Sequence, residues 1–410
     1  MMVSDPKRIE RRLKVIAACT EESGKITRRT FSKAWEEAVT YVCGEMEDAG
    51  MTVRMDTFGN LIGRYDPAHS DQKPIGIGSH IDSVINAGAY DGVAGIVIGL
   101  ELVSMLHENK VIPSRPIEVL ATADEEGAIC QKGYFGGRFM TGDMTVAELL
   151  SYRDAAGNNL TDLQSRCPEF SGRTFGSDNG WAKNYYHCFL EVHVEQDNVL
   201  ESKGKDMGIV KGVAGIGRLF VEISGVSDHA GPTVMEGRRD ALVAASDLVL
   251  KVWNDGQLHS GDLVATVGRM HITPNTHNVI PGHVELVIDY RSDRDVIAKA
   301  AAQRFKSYIL DLEKNYGVKA EISQEIYTPV KEFSPYLLRR LREMQVPNSM
   351  ELYSWAGHDA KAFSEVTDTA MLFMPSVGGK SHCPEEFTET RSFQLVCDHL
   401  VHLLEPEAAL

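Results

Sequence analysis

The hydrophobic and polar positions of the N-terminal region follow two different periods. Apolar residues recur at helical spacing over residues 5–22 and 28–49, and this predicts two amphipathic helices. Two short runs with a period of two then flank Phe58-Gly59, which predicts a β-hairpin. The chain therefore begins with two helices and a hairpin.

Longer apolar runs follow, and they predict the strands of a parallel sheet. Runs at 74–80 and 117–124 are separated by a helical pattern from about Gly92 to Glu108. Strand, helix and strand with short connections form the βαβ unit of a parallel sheet. Two further apolar runs, at 188–195 and 370–376, belong to the same sheet.

Between the last two of these strands, the pattern predicts a separate, inserted domain. Its elements are strand 217–225, helix 237–255, strands 261–270 and 283–291, helix 293–316 and strand 318–327. The order βαββαβ is that of a ferredoxin-like domain. The sequence thus predicts an α/β protein whose main domain is built from residues 1–213 and 331–410, with the insert at 214–330.

Composition narrows the class of protein. The chain has 410 residues, 43% of them hydrophobic, and a net charge of −16. This charge argues against nucleic acid as a partner, because phosphates are bound by clustered Lys and Arg. No apolar run approaches the roughly 18–20 residues of a membrane span, and no signal-peptide core begins the chain. The seven scattered Cys lack a C-x-x-C pair and are typical of free thiols in a reducing cytoplasm.

Polar side chains that bind metals follow the predicted parallel strands. Ligands of open parallel sheets lie beyond the carboxyl ends of the strands. The candidates there are His80 and Asp82 after the first strand, Asp91 at the next helix, Asp124-Glu125-Glu126 after the second strand, His193 and Glu195 on the third, and His382 after the last. This convergence predicts a metal site at one edge of the sheet.

The residue types indicate the chemistry. Imidazoles together with carboxylates are the ligand set of Zn²⁺ or Mn²⁺, and Co²⁺ or Ni²⁺ is also accepted. Asp91 is placed to bridge two ions, and Asp82 to accept the second ring N–H of His80. Neighbours at a strand end point to opposite sides, so we expect Glu126 to bind metal and Glu125 to act as general base toward water.

Each feature alone has a structural explanation. His-x-Asp is commonly a hydrogen-bonded pair, the acidic run a solvated loop, the Gly-rich segment around His382 a turn, and His193 a core imidazole. The metal interpretation depends on five segments converging on one sheet edge.

The motifs also resemble a known family. In order along the chain they are "GSHIDSVINAGAYDGVAG", "TADEEG", "EVHVEQ", "SDHAGPTVMEGRRDA", "PNTHNVIPGHVELVIDYR", "AGHDA" and "GGKSHCPEEF". They are similar to those of the hydantoinase/carbamoylase branch of the M20 metallopeptidase-like amidohydrolases. That branch includes N-carbamoyl-L-amino acid hydrolase, β-ureidopropionase and allantoate amidohydrolase.

The resemblance implies a catalytic domain with two divalent metal ions, one held by His80 and His193 and the other by Glu126 and His382, with Asp91 between them. It implies a homodimer whose inserted domain serves as lid and dimerisation domain, and the cysteines already favour the cytoplasm. It also implies that His229 reaches the scissile carbonyl from the partner subunit and stabilises its developing negative charge. A small carboxylate substrate would be bound by Gln196, His229, Asn278, Arg291 and His358. Structural alternatives for three of them are a helix cap for His229, a turn residue for Asn278 and a surface ion pair for Arg291.

Three departures from the branch leave the substrate open. Ala128-Ile129-Cys130 replace Ser-Arg-Phe, Asp197 replaces Gly, and Trp355 replaces Gly. We expect cleavage of the C–N bond of an N-carbamoyl amino acid, with release of amino acid, CO₂ and ammonia. The alternatives are an allantoate amidohydrolase, an N-acyl amino acid hydrolase or dipeptidase, and a non-catalytic binding protein on the same fold.

Overall fold

The computed structural model describes residues 2–129, 133–154, 156–160, 162, 165 and 178–405. These residues form two compact units. Val213–Lys331 make up the smaller unit, and the described residues before and after this segment make up the larger one. Among the helices of these ranges, none combines the length and apolar character needed to cross a membrane.

A mixed sheet organises the larger unit. Its strands in the described residues are β1 (Thr52–Met55), β2 (Leu61–Tyr65), β3 (Ile75–His80), β4 (Ile117–Thr122), β5 (Cys188–Val194), β6 (Met207–Val213), β11 (Lys331–Glu332), β12 (Ser349–Ser354) and β13 (Asp368–Met374). The central strands β4-β3-β5-β13 are parallel, and the hairpin β1-β2 joins β4 antiparallel. The predicted α/β fold with a parallel central sheet is confirmed.

The helices of this unit pack around that centre. They are α1 (Pro6–Ala18), α2 (Lys33–Asp48), α3 (Val93–Glu108), α4 (Phe135–Thr141), α5 (Val146–Ser151), α6 (Val199–Ser202), α9 (Pro335–Glu343), α10 (Asp359–Phe363) and α11 (Thr390–Leu404). Helix α3 is buried around its whole circumference from Val93 to Leu106, because it contacts β3, β4 and β5 as well as α1 and α11. Its side chains there are mostly apolar, as expected of such a helix.

The N-terminal helices are shorter than predicted. Helix α2 begins at Lys33 because the Ser32 hydroxyl accepts the N–H of Trp35 as an N-cap. The preceding segment pairs with a loop after β3, where Ile26 bridges Ala87. Helix α1 ends at Ala18, before the predicted residue 22. Arg28, which was predicted to be helical, lies in this segment and donates to the carbonyl of Ile81, directly after β3. Part of the predicted helix therefore supports the end of the first parallel strand.

The smaller unit follows the βαββαβ order. Its elements are β7 (Gly215–Ser224), α7 (Ala241–Leu258), β8 (Val264–Thr273), β9 (His283–Ser292), α8 (Asp295–Tyr316) and β10 (Lys319–Thr328). Within Val213–Lys331 the four strands form an antiparallel sheet in the order β10-β7-β9-β8, so β8 and β10 are its edges. Helix α7 begins at Ala241, four residues later than predicted, because the Asp240 side chain caps it.

Candidate metal centre

The carboxyl ends of the parallel strands bring the candidate ligands of the larger unit together. His80 is the last residue of β3 and pairs with Thr122 of β4, just before Glu125 and Glu126. His193 of β5 pairs with Phe373 of β13. Parallel strands end at the same sheet edge, so these side chains meet although they are distant in the sequence.

The first group of possible ligands consists of His80, Asp91 and His193, whose ligand atoms lie within 4.8 Å of one another. Asp91 Oδ1 is 3.2 Å from Nε2 of His193 and 3.9 Å from Nε2 of His80. Nδ1 of His80 lies 3.0 Å from the carbonyl of Asp82, and Nδ1 of His193 lies 2.8 Å from that of Val194. A carbonyl only accepts, so both Nδ1 atoms donate and each ring carries its lone pair on Nε2, the atom that would bind a metal. On His193 this Nε2 accepts the N–H of Gly92 at 3.1 Å.

Asp82 has a different role from the predicted one. Its carboxylate oxygen is 3.9 Å from Nδ1 of His80, beyond hydrogen-bond distance, because the backbone carbonyl of Asp82 occupies that position. The carboxylate instead accepts the backbone N–H groups of Glu125 (3.1 Å) and Glu126 (3.2 Å). Asp82 therefore fixes the loop that presents these two carboxylates.

The second group consists of Asp91, Glu126 and His382. Nε2 of His382 lies 3.0 Å from Asp91 Oδ2 and 3.3 Å from Glu126 Oε1. Both oxygens are buried, and within the described part of the chain neither accepts a hydrogen bond of regular geometry. Buried carboxylate oxygens without donors are costly. A divalent cation between them and the imidazoles would remove this cost, so the donor set fits such an ion.

The pKa shifts of these groups agree with a donor set for a divalent cation. Burial, followed by the charge of Asp91, raises the pKa of Glu126 to about 10. Burial alone would also raise the pKa of Asp91, but its contact with His382 and the nearby His193 and His80 lower it below the usual range. Burial lowers the pKa of His193 to about 4, which keeps the imidazole in its neutral, metal-binding form.

Glu125 lies beside the first group. It is 6% exposed, and its Oε2 is 3.9 Å from Nε2 of His80. Burial, and next the charge of Glu126, raise its pKa well above the ordinary value of a glutamate. The turn that presents it depends on Asp124, whose φ is +54° and whose N–H donates to the Thr30 hydroxyl. A carboxylate held beside possible metal ligands is suited to proton transfer.

Two predicted substrate residues of this unit also lie close to the ligands. Nε2 of Gln196 donates to Asp91 Oδ1 at 3.0 Å and lies 3.4 Å from Nε2 of His382. His358 is 2% exposed and packs edge-on against His193, with 4.6 Å between ring centroids. Its Nε2 is 2.8 Å from the Ser354 hydroxyl. In this structure His358 supports the imidazole of His193 from within the fold.

Sequence reasoning missed several buried residues around the centre, among them Arg28, Glu191 and Asp359. Arg28 donates to the carbonyls of Ile81 (2.6 Å), Ile16 (3.0 Å) and Cys19 (3.2 Å). Glu191 accepts from the hydroxyl of Ser79 and the N–H of Ala360, and Asp359 accepts from the Thr122 hydroxyl. For Glu191 a signal existed, because it lies two residues before His193 in an apolar strand and thus on the same face. Glu195, in contrast, accepts the N–H of Leu200 at the start of α6.

The remaining predicted residues belong to the smaller unit. His229 is exposed and forms a bridge with Val279, next to Asn278, whose carbonyl accepts the N–H of Ala230 at 2.9 Å. Nδ1 of His229 accepts the N–H of Gly231 at 3.0 Å, so the neutral ring carries its hydrogen on Nε2. Arg291, on β9, pairs with Asp289 Oδ1 at 2.9 Å.

The residues that depart from the family pattern lie in different local environments. The N–H of Ile129 lies 3.3 Å from Asp124 Oδ1, whereas Cys130 lies outside the described residues. Asp197 is exposed and accepts the N–H of Asn198, and Trp355 is half-buried. None of these contacts involves a candidate ligand.

Comparison with known proteins gives the family. The chain belongs to peptidase family M20/M25/M40, whose model matches residues 76–405. It is 32% identical over 386 residues to N-carbamoyl-L-amino-acid amidohydrolase of Paenarthrobacter aurescens, with 93% of both chains covered. It is 32% identical over 384 residues to allantoate amidohydrolase of Bacillus subtilis (strain 168), covering 93% of this chain and 92% of the relative.

A solved structure shows the same similarity. The crystal structure of an amidase of the hydantoinase/carbamoylase family from Burkholderia multivorans matches with a TM-score of 0.87 and 28% identity, covering 99% of this chain and 98% of that chain. The resemblance seen in the sequence motifs is therefore confirmed.

Proposed function

We propose that this protein is a metal-dependent amidohydrolase that cleaves the ureido C–N bond of an N-carbamoyl amino acid. The products are the amino acid and carbamate, which decomposes to CO₂ and ammonia. One observation carries the proposal: two groups of possible ligands share Asp91, and Glu125 lies beside them. The similarity to N-carbamoyl-L-amino-acid amidohydrolase supports this substrate class.

The metal centre we propose has two divalent ions, Zn²⁺ or Mn²⁺. His80 and His193 would hold one, Glu126 and His382 the other, and Asp91 would contribute to both. When bound, such ions polarise a carbonyl and lower the pKa of water toward neutrality. Two observations support the assignment: the Nδ1 hydrogen bonds that fix both buried imidazoles, and the buried oxygens of Asp91 and Glu126 that accept no regular hydrogen bond.

The chain's own residues carry the proton transfers. We assign Glu125 as the general base that takes a proton from the attacking water and returns it to the leaving nitrogen. The Asp82 carboxylate holds the backbone of Glu125, so that its position is set by the fold. Gln196, with its amide close to Asp91, is assigned to binding the substrate. His358, which the sequence motif also links to the substrate, is buried against His193, and its proposed contribution is to hold that ring.

In the smaller unit, we assign His229 as a donor to the carbonyl oxygen of the substrate. Its Nδ1 is already an acceptor, so Nε2–H is the group that would stabilise the developing negative charge. Arg291 is assigned to the substrate carboxylate, because its planar guanidinium matches two oxygens. Asn278, beside the His229 segment, completes this set.

We further propose a homodimer, with the smaller unit as lid and ferredoxin-like dimerisation domain. Helix α7 exposes Val243, Leu250 and Trp253, which are 50%, 61% and 60% accessible. These residues recur at helical spacing, and β8 at the sheet edge is open to pairing. Sedimentation of the purified chain, compared with Leu250→Glu, tests this proposal. A wild-type monomer would contradict it.

A second candidate is hydrolysis of allantoate, which the similarity to allantoate amidohydrolase favours. Both reactions attack a ureido carbonyl in a small carboxylate molecule, so the same side chains serve either. A matched panel separates them: N-carbamoyl-L-amino acids, their D-enantiomers, allantoate and N-acetyl amino acids, assayed after chelation and reconstitution with Zn²⁺ or Mn²⁺.

For the first proposal we expect the highest kcat/KM with an N-carbamoyl-L-amino acid, measured as release of amino acid and ammonia. A higher kcat/KM for allantoate would select the second candidate. Absence of hydrolysis of every panel member by the reconstituted protein would refute both.

A further inference from the structure

Glu386 is a buried carboxylate close to the candidate metal centre. It lies between β13 and α11, four residues after His382, and is 4% exposed. Its neighbour Glu385 has the same side chain but is exposed. A buried carboxylate needs partners that replace its lost hydration, so the contacts of Glu386 indicate its role.

The two carboxylate oxygens of Glu386 join the loops that carry Asp91 and His382. Oε1 accepts hydrogen bonds from the backbone N–H groups of Tyr90 (2.8 Å) and Asp91 (2.9 Å). Oε2 accepts one from the hydroxyl of Ser381 (2.9 Å), the residue before His382. One side chain therefore ties both backbones together.

The surrounding backbone is shaped to allow this contact. The N–H of Glu386 donates to the carbonyl of Cys383, which closes a turn, and His382 within the loop has φ +54°. On the other side of the carboxyl, a Cβ on Gly88 would lie 2.3–2.4 Å from three atoms of Glu386. Glycine permits this approach, and any side chain there would push the two loops apart.

The contacts that Glu386 holds in place belong to both ligand groups. Asp91 directs Oδ2 toward Nε2 of His382 (3.0 Å) and Oδ1 toward Nε2 of His193 (3.2 Å). Because the two oxygens face different imidazoles, a small displacement of the Asp91 backbone would change both distances at once. The hydrogen bond from the Asp91 N–H to Glu386 opposes that displacement.

We propose that Glu386 is a positioning residue that fixes Asp91 relative to His382 and thereby sets the affinity of both ligand groups for divalent cations. The inference rests on the proposed function, because it takes Asp91 as the shared ligand. Glu386 acts here through backbone N–H groups and a hydroxyl, without touching a cation. Loss of such an outer contact typically weakens metal binding about 10–100-fold.

The test compares Glu386→Gln with the matched control Glu385→Gln. Glutamine keeps the shape and one acceptor oxygen but removes the charge. Calorimetric titration of chelator-treated protein with Mn²⁺ should show an affinity about 10–100-fold lower for Glu386→Gln and unchanged for Glu385→Gln. The visible spectrum of the Co²⁺-loaded protein should change in the first variant alone. At raised Mn²⁺, hydrolysis by Glu386→Gln should recover with KM unchanged.

Two results would overturn the proposal. One is wild-type Mn²⁺ affinity in Glu386→Gln. The other is loss of the folded circular dichroism spectrum by metal-free Glu386→Gln, since the residue would then support the fold in general. A wild-type protein that binds neither Mn²⁺ nor Co²⁺ would refute the proposed function itself, and this outcome is recognised before any variant is made.

Discussion

Replacing Glu125 by glutamine tests the assignment of the general base. Glutamine has the same shape, and the backbone contacts of residue 125, its N–H to Asp82 at 3.1 Å and its carbonyl to the N–H of Tyr134 at 2.6 Å, do not involve the carboxyl. The change therefore removes proton transfer and leaves the loop intact. A positioned general base contributes a factor of about 10²–10⁴ in rate, so kcat should fall by that factor. This corresponds to an activation free energy that is higher by about 3–5 kcal/mol.

The structure also predicts what Glu125→Gln should leave unchanged. The carboxyl of Glu125 lies among the like charges of Glu126, Asp359, Asp82 and Glu191, which raise its pKa after burial has done so. The raised pKa favours the neutral carboxyl of Glu125 in the metal-free fold, and glutamine replaces it with a neutral amide, so the melting temperature of the metal-free variant should be no lower than that of wild type. KM should change little.

The assay combines initial rates of ammonia release with metal content measured by mass spectrometry. Glu126→Gln serves as the contrasting variant, because it removes a proposed ligand and should lower the metal content. If Glu125→Gln keeps its metal and turns over within tenfold of wild type, the assignment of Glu125 is refuted. If it loses metal as Glu126→Gln does, Glu125 is a ligand and another group is the base.

Three further results are expected. In metal-free protein the pKa of Glu126 is about 10, above that of a glutamate in the unfolded chain. Between these two pKa values the folded state keeps a proton that the unfolded state releases. The unfolding free energy should therefore fall by up to about 1.4 kcal/mol per pH unit between roughly pH 4.5 and 10. Thermal melts over this window should show the decline, and Glu126→Gln should make it less steep without abolishing it, because the raised pKa of Glu125 contributes in the same direction. A flat wild-type profile contradicts the prediction. Arg291→Lys should raise KM for carboxylate substrates at least about tenfold, because a bidentate contact is lost. An unchanged KM in steady-state kinetics would refute the assignment of Arg291 to the substrate carboxylate. Arg28→Met leaves the carbonyls of Ile81, Ile16 and Cys19 without this donor, and urea titration should show a loss of about 3 kcal/mol or more, whereas a loss below 1 kcal/mol would argue against this role.

The sequence was sufficient to group the candidate ligands because their positions depend on topology. Parallel strands end at one sheet edge, so His80, Glu126 and His193 could be grouped from strand boundaries alone. The contact between His80 and Asp82 was predicted with the wrong acceptor. Sequence spacing gives the distance between two residues along the chain, but it does not tell whether the backbone or the side chain of Asp82 faces the ring.

Other contacts could not be predicted from the sequence, for a different reason. Arg28 lies in a segment that periodicity assigned to a helix, and its partners are backbone carbonyls, which have no sequence signature. Glu386 follows an identical residue, and only the fold shows that the second of the two is buried. Contacts of side chains with the backbone depend on the path of loops, and loop paths do not follow from hydrophobic periodicity.

The way in which His80 and His193 are oriented has a consequence for divergence within the family. Each ring is held by a main-chain oxygen, a group that no point substitution can delete. Mutation of neighbouring side chains can therefore alter which molecule is accepted while leaving the tautomer of both imidazoles untouched. Such an arrangement lets substrate specificity change during evolution while metal binding is kept. Ala128, Asp197 and Trp355, which differ from the family pattern, are positions at which this independence of specificity and metal binding can be examined.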